Sequence, residues 1–241
     1  MKNLIQVFND TLEYSQNMLN STTTKHTFND IINPARNGKN NIQVINSDSV
    51  SALVEYSKIG KTCVLNMASY KRPGGGVENG ARAQEECLFR CSNLSQVTPK
   101  SFYPLNTNEC LYTKDAVFFK DVNYDYMPDT TVDVVTIAAI NLNSNAKYDD
   151  LQTNLDYFNI TKNKIRLMLS LAIKNYVKNI ILSSFGCGVF GNEPTVMSNL
   201  FGEILIKEGY SNYFDNVVFA IINDRNSVGN NFEIFNKSLI K

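Results

Sequence analysis

The sequence predicts a single α/β domain in three layers, with helices on both faces of a mostly parallel or mixed central sheet and a helical extension at the N-terminus. Three observations predict it. Short apolar runs suited to buried strands, such as residues 61–68 (KTCVLNMA) and 132–140 (VDVVTIAAI), alternate with longer stretches of helical spacing. Two glycine-rich loops each follow such a run, so both belong on the rim at the carboxyl ends of the strands. A chain of 241 residues that is 43% hydrophobic fills one core and is too short for two domains of ordinary size. The expected division is therefore a helical extension over residues 1–40, packed on the main α/β domain over 41–241.

Each element has its own signal. Leu4, Val7, Phe8, Leu12, Tyr14, Met18 and Leu19 trace a helical stripe, which the Ser/Thr run at 21–24 ends. Residues 42–45 read as a strand, Ser47 or Ser49 as the cap of a helix running to about Ile59, and 61–68 as a buried strand, together a β-α-β opening. A loop over 69–83 leads into a helix whose first turn holds Gln84, Glu85 and Glu86 and whose buried side takes Leu88, Cys91 and Leu94. Strands at 116–120 and 132–140 precede a helix at 154–177, where Ile165, Leu169, Ala172, Ile173 and Tyr176 recur at helical spacing and Lys162, Lys164, Arg166 and Lys174 point to solvent. A strand at 179–185, a helix at 195–208, a strand at 217–222 and a helix at 230–240 complete the chain.

Composition narrows the function. Lys plus Arg balance Asp plus Glu at 23 each, leaving no basic field to hold a nucleic-acid duplex. The five cysteines are odd in number and lie in or beside apolar runs, as buried thiols in a reducing compartment do. Cys87 and Cys91 find only the distant His26 as a further ligand type, so neither a metal site nor a cofactor is expected. The N-terminus turns polar too soon for a signal peptide, and no apolar stretch approaches the ~20 residues that cross a bilayer. The expectation is a soluble, intracellular monomer without membrane contact.

The two loops carry the chemistry. In the first, Pro73-Gly74-Gly75-Gly76 lets backbone approach a bulky ligand and present amide N–H groups, and Gln84-Glu85-Glu86 follows. Adjacent helical residues point about 100° apart, so Glu85 and Glu86 divide the work, one facing a scissile bond and one ordering sugar hydroxyls. The plainer alternative is that first-turn acids answer the helix dipole. A helix N-terminus also favours a charged carboxylate, so a general acid there needs a desolvated setting. The second loop, Gly186-Cys187-Gly188-Val189-Phe190-Gly191, contains GxGxxG, but Asn192-Glu193-Pro194 intervene before any helix starts. It reads as a phosphate cradle, with Phe190 either an aromatic face for a sugar or base or plain core.

Gly-Gly-Gly, seven residues, then Gln-Glu-Glu resembles the signature of the poly(ADP-ribose) glycohydrolase family, and the second loop resembles the GCGAFGN diphosphate loop of its microbial-type members. Leu65-Asn66-Met67-Ala68 and residues 134–139, 166–172 and 219–221 fall in the same order, so the likeness covers about 42–224. It implies a macrodomain fold that hydrolyses the ribose–ribose O-glycosidic bond through one glutamate. Poly(ADP-ribose) or ADP-ribosylated protein would be the substrate and ADP-ribose the product. Carried over, Glu86 is the catalytic carboxylate, and Glu85 with Gln84 anchors the reacting region. Gly74, Gly75, Gly76 and Val77 line the distal ribose and diphosphate. Gly186, Cys187, Gly188, Val189, Phe190 and Gly191 wrap the diphosphate, with Phe190 against the distal ribose, and Asn66 sits at the strand end. The sequence departs from the microbial pattern at Phe185 for Trp, Val189 for Ala and Glu193 for Pro; the charge of Glu193 would weaken affinity at a diphosphate loop.

Three other readings stand beside this one. A macrodomain that binds ADP-ribose without cleaving it needs the loops but not the paired acids. A nucleotide-dependent oxidoreductase would use GxGxxG. Phosphoryl transfer lacks a GK[ST] after either loop. A lone histidine leaves Ser-His-Asp and Cys-His mechanisms without material.

Overall fold

The computed structural model describes residues 2–34, 39, 41–144, 155–223 and 230–240. In chain order the elements are α1 (Leu4–Ser15), β1 (Thr22–Thr27), β2 (Ile42–Ile45), α2 (Ser49–Ser57), β3 (Thr62–Met67), α3 (Gln84–Cys91) and α4 (Leu94–Val97). Then follow β4 (Glu109–Lys120), β5 (Tyr126–Ile137), α5 (Leu155–Lys174), β6 (Asn179–Leu182), α6 (Pro194–Gly202), β7 (Asn216–Ala220) and α7 (Asn231–Leu239). One seven-stranded sheet runs β1-β4-β5-β3-β6-β7-β2. The five strands from β5 to β2 are parallel, and β4 is antiparallel to both its neighbours.

Because side chains alternate along a strand, β3 feeds two cores. Cys63 and Leu65 face α5, α6 and α7 with Val135, Leu169, Phe201 and Phe219. Val64 turns to the other face, with Phe8 of α1, Leu53 of α2 and Leu88 of α3. This is the expected three-layer, mixed-sheet fold. The parallel registers, Met67 opposite Ile137 and Leu182 opposite Phe219, bring the carboxyl ends of β3, β5, β6 and β7 to one rim.

Several local readings change. The Ser/Thr run is not merely a helix end: Thr22–Thr27 is an edge strand paired with β4, and Thr23 Oγ1 meets Thr113 Oγ1 at 2.8 Å. Threonine suits a strand but carries no apolar alternation, so the periodic signal is silent there. Residues 2–34 thus give this sheet a strand as well as a covering helix. β4 starts at Glu109 rather than 116, its alternation broken by a register shift between Thr113 and Ala116 where Asp115 has φ of 55°. The cap of α2 is neither Ser47 nor Ser49 but Asp48, whose Oδ1 accepts from Val50 N at 2.8 Å and Ser51 N at 2.9 Å. α6 stops at Gly202 and continues as a π-helical turn, Glu203–Lys207.

On α5 the outward face is smaller than its lysines suggest. Its expected start, Asn154, lies outside the described residues. Lys162 pairs with Glu203, Arg166 with Glu208 and Lys174 with Asp30, but Lys164 is 3% exposed. The Phe28–Asp30 turn and the π-helical turn both lie against α5, so more than its sheet-facing stripe is covered. Burial pushes the Lys164 ammonium down to about 8. Tyr176 goes the other way, 83% exposed, because the helix ends at Lys174 and Tyr176 takes φ of 58°.

Candidate active site

β3 delivers the chain to the rim at Met67, and α3 returns from it at Gln84. Gln84 fastens the two, accepting from Met67 N at 2.9 Å and donating to Leu65 O and to Ser49 Oγ. The next two residues diverge as the helical period requires. Glu85, 3% exposed, accepts at Oε2 from Ser69 N (2.7 Å) and at Oε1 from Gly74 N (3.2 Å) and Asn66 Nδ2 (3.5 Å). Glu86 accepts at Oε1 from Gly76 N (2.9 Å) and at Oε2 from Ala83 N (3.1 Å), the latter the reach-back of a capping box.

Burial pushes the Glu85 carboxyl up to about 8, helped by the charge of Glu86 and opposed by the N–H groups of Ser69 and Gly74 and the Asn66 amide. Every one of those partners is a donor, so the pocket of Glu85 is shaped for oxygen acceptors even where burial favours the proton. Gly75 explains the triple glycine. It adopts φ of 54°, and a Cβ there would stand 2.6 Å from Glu86 Oε1 and 2.9 Å from Glu85 Oε2.

The second loop is closed from behind. Asn192, 1% exposed, donates from Nδ2 to Ile140 O (2.8 Å) and Gly186 O (3.1 Å) and accepts from the Tyr157 hydroxyl (2.7 Å). Its backbone N–H returns to Gly186 O at 3.0 Å. Gly186 has φ of 76°, and a Cβ on it would lie 2.6 Å from Asn192 Nδ2. Among the described residues, the amide N–H groups of Gly188, Val189 and Phe190 meet no hydrogen-bond acceptor. Three unanswered donors on a loop crest make an anion cradle.

The second loop and the two ends of the first, at Ser69 and at Arg82 and Ala83, open into one cleft of about 670 Å³. Gln84, Glu85 and Glu86 form one wall and Gly186, Gly188, Val189 and Phe190 another, over a floor that includes Met67, Ala139, Ser183 and Ala220. Phe190 is at once partly buried against the core and exposed to the cleft, so its two sequence readings coexist. Asn66, Gly74, Gly75, Gly76, Val77, Cys187 and Gly191 stand behind the wall rather than on it. Asn66 and the glycines act on the carboxylates, while Val77 and Cys187 are core, 3% and 0% exposed.

Two of the departures find local explanations. Phe185 is fully buried. Glu193 caps α6, accepting from Thr195 N at 3.0 Å and Val196 N at 2.7 Å, so its charge answers that helix rather than the cleft.

Sequence reading missed part of the wall. Asp48 and Ser49 from the start of α2, Ile222 and Asn231 near the chain's end, and Lys2, Leu4 and the Val122–Asp125 hairpin also line the cleft. The capping signature at Asp48 was present in the sequence; the hairpin and the N-terminal residues reach the cleft only through tertiary packing. Arg90 holds them there. It is fully buried and donates to Leu4 O (3.2 Å), Val77 O (3.3 Å) and Ala81 O (2.7 Å), tying α1 to the glycine loop. Among the described residues no group of His, Cys, Asp and Glu side chains could hold a metal ion, and no helix is long and apolar enough to cross a membrane.

Comparison with known proteins finds one family model and solved structures of the same fold. The family model for the catalytic domain of microbial-type PARG matches residues 6–124. Poly(ADP-ribose) glycohydrolase from Thermomonospora curvata bound to the inhibitor ADP-HPD shares the fold with a TM-score of 0.83 at 21% identity, covering 97% of this chain and 98% of that one. The Deinococcus radiodurans poly(ADP-ribose) glycohydrolase in complex with ADP-ribose has a TM-score of 0.76 at 24% identity, covering 95% and 97%. No curated protein matches in sequence. The paired glutamates and the second glycine loop share one cleft, residues 6–124 are similar to the catalytic domain of microbial-type poly(ADP-ribose) glycohydrolases, and the whole chain shares the fold of the two solved enzymes.

Proposed function

We propose that this chain cleaves the ribose–ribose O-glycosidic bond of poly(ADP-ribose), releasing ADP-ribose, with Glu86 as the single proton-transfer group. Glu86 protonates the departing ribose oxygen as the bond to the anomeric carbon breaks through an oxocarbenium-like state. The resulting carboxylate then takes a proton from the water that attacks that carbon. The open N–H crest at Gly188, Val189 and Phe190 receives the diphosphate, and Phe190 lies against the distal ribose. Glu85, Gln84 and Asn66 hold the first loop in place, so that Gly74, Gly75, Gly76 and Val77 shape the ribose pocket from behind.

One observation carries the reading: Glu86 lies on the same cleft as the open amide crest, with both its oxygens oriented by backbone N–H groups. A module that only binds ADP-ribose has no use for an acid held this way. The test compares Glu86→Gln with the parent chain. ADP-ribose release from polymer should fall by about 10²–10⁴-fold, while ADP-ribose binding measured by calorimetry persists. Equal release by the two proteins would refute the assignment.

A further inference from the structure

The crest of the second loop is aimed from its carbonyl side. In a trans peptide the C=O and the N–H point opposite ways, so tying back the oxygen turns the hydrogen outward. The carbonyl of Gly188 accepts from Gly191 N at 2.9 Å and that of Phe190 from Leu142 N at 2.9 Å, both backbone bonds. The peptide between Val189 and Phe190 carries one of the three unanswered N–H groups, and among the described residues a side chain holds its carbonyl: Asn143 Nδ2 donates to Val189 O at 2.7 Å. Asn143 stands in the Leu142–Ser144 turn beyond β5, exposed and off the wall of the cleft. The loop makes room for it. Gly191 takes φ of 71°, and a Cβ there would stand 2.7 Å from Asn143 Oδ1 and 3.1 Å from its Cγ and Nδ2. Water would satisfy an exposed amide about as well, so a fit this close has its use on the loop and not in the amide.

We propose that Asn143 is a positioning residue for ligand binding: by holding the Val189 carbonyl it aims the Phe190 N–H into the cleft, where the diphosphate accepts it. The inference rests on reading the crest as the diphosphate site. Without the Asn143 amide, the 189–190 peptide is free to turn its N–H away from the ligand, and one charge-assisted hydrogen bond is lost. Glu86 is held by the other loop, at Gly76 N and Ala83 N. Loss of Asn143 therefore weakens the bound ground state and the transition state alike and leaves the chemical step as it was.

The experiment compares the full chain with Asn143→Ala and Asn143→Asp, reading kcat and KM on polymer, ADP-ribose binding by calorimetry and the thermal midpoint. Asn143→Ala should raise KM and the ADP-ribose dissociation constant together by about tenfold, the worth of one hydrogen bond to a charged group. Its kcat should stay within about twofold. Asn143→Asp keeps the size of the side chain but cannot donate, so it should lose at least as much affinity. Both thermal midpoints should stay within about 2 °C of the parent, because the contact is exposed. Full affinity in either variant, a fall in kcat at unchanged KM, or weaker binding matched by a midpoint lowered beyond that range would each overturn the proposal. Calorimetry needs no turnover, so a parent chain that binds ADP-ribose but frees none from polymer refutes the hydrolase reading alone. Variants that bind as tightly as a binding parent refute this inference alone.

Discussion

The backbone N–H of Gly76 donates to Glu86 Oε1 at 2.9 Å, and the Gly74 N–H donates to Glu85 Oε1 at 3.2 Å. The triple-glycine bend therefore serves the two carboxylates directly. Its lack of side chains makes room for their oxygens, and its amides aim them.

Gly75→Ala tests that relationship. The new Cβ would stand 2.6 Å from Glu86 Oε1 at a φ of 54°, so the carboxylate must shift. A displacement near 1 Å costs about 10²-fold in rate. Polymer hydrolysis should fall by that order while ADP-ribose binding stays within about tenfold; full activity would show that the contact does not position Glu86.

Glu193→Ala separates capping from ligand repulsion. Loss of the two N–H bonds at the start of α6 should lower unfolding stability by about 0.5–2 kcal/mol in urea and leave ADP-ribose affinity within about twofold. A large gain in affinity would mean instead that the charge reaches the diphosphate, as the sequence alone suggested.

Glu85 predicts a pH signature. Its carboxyl is raised from 4.5 to about 8 in the fold, so the neutral form is the one favoured there. Its contribution to stability is then full below about pH 4.5 and lost as pH rises toward about 8. Glu85→Gln fixes the neutral form. The stability of the parent chain relative to this variant should decline between about pH 5 and about pH 8, read by urea denaturation at each pH; a constant difference would contradict the shift.

Lys164→Met should stabilise the protein by about 1 kcal/mol or more near neutral pH, because it removes a charge desolvated inside the fold. The Lys164 ammonium is lowered from 10.5 to about 8. A depressed pKa contributes stability present above the unfolded value and lost as pH falls through the folded one, so the advantage of Met should shrink as pH rises from about 8 to about 10. Destabilisation at neutral pH would reveal a favourable role for the ammonium.

What could be read from the chain followed its physics. The apolar runs at β3, β5, β6 and β7 announced themselves because buried parallel strands are continuously hydrophobic, and both glycine loops were placed on the rim by following such runs. β1 was hidden by threonines, and the first half of β4 by the irregularity at Asp115. Lys164 looked solvated because periodicity shows the face toward the sheet and not the cover laid over a helix from outside. In the site, the Glu85 and Glu86 divergence followed from helix geometry alone. The contributions of Lys2, Arg90 and the Val122–Asp125 hairpin did not, since they come from segments far apart in sequence that meet only after α1 docks.

The most direct test of the central claim is a crystal structure of the chain soaked with ADP-ribose. The account requires the diphosphate on the amide crest of Gly188, Val189 and Phe190, and the anomeric carbon of the distal ribose within about 3–4 Å of a Glu86 oxygen. A ligand seated away from that crest, or a distal ribose that faces Glu85 and leaves Glu86 out of reach, would contradict it.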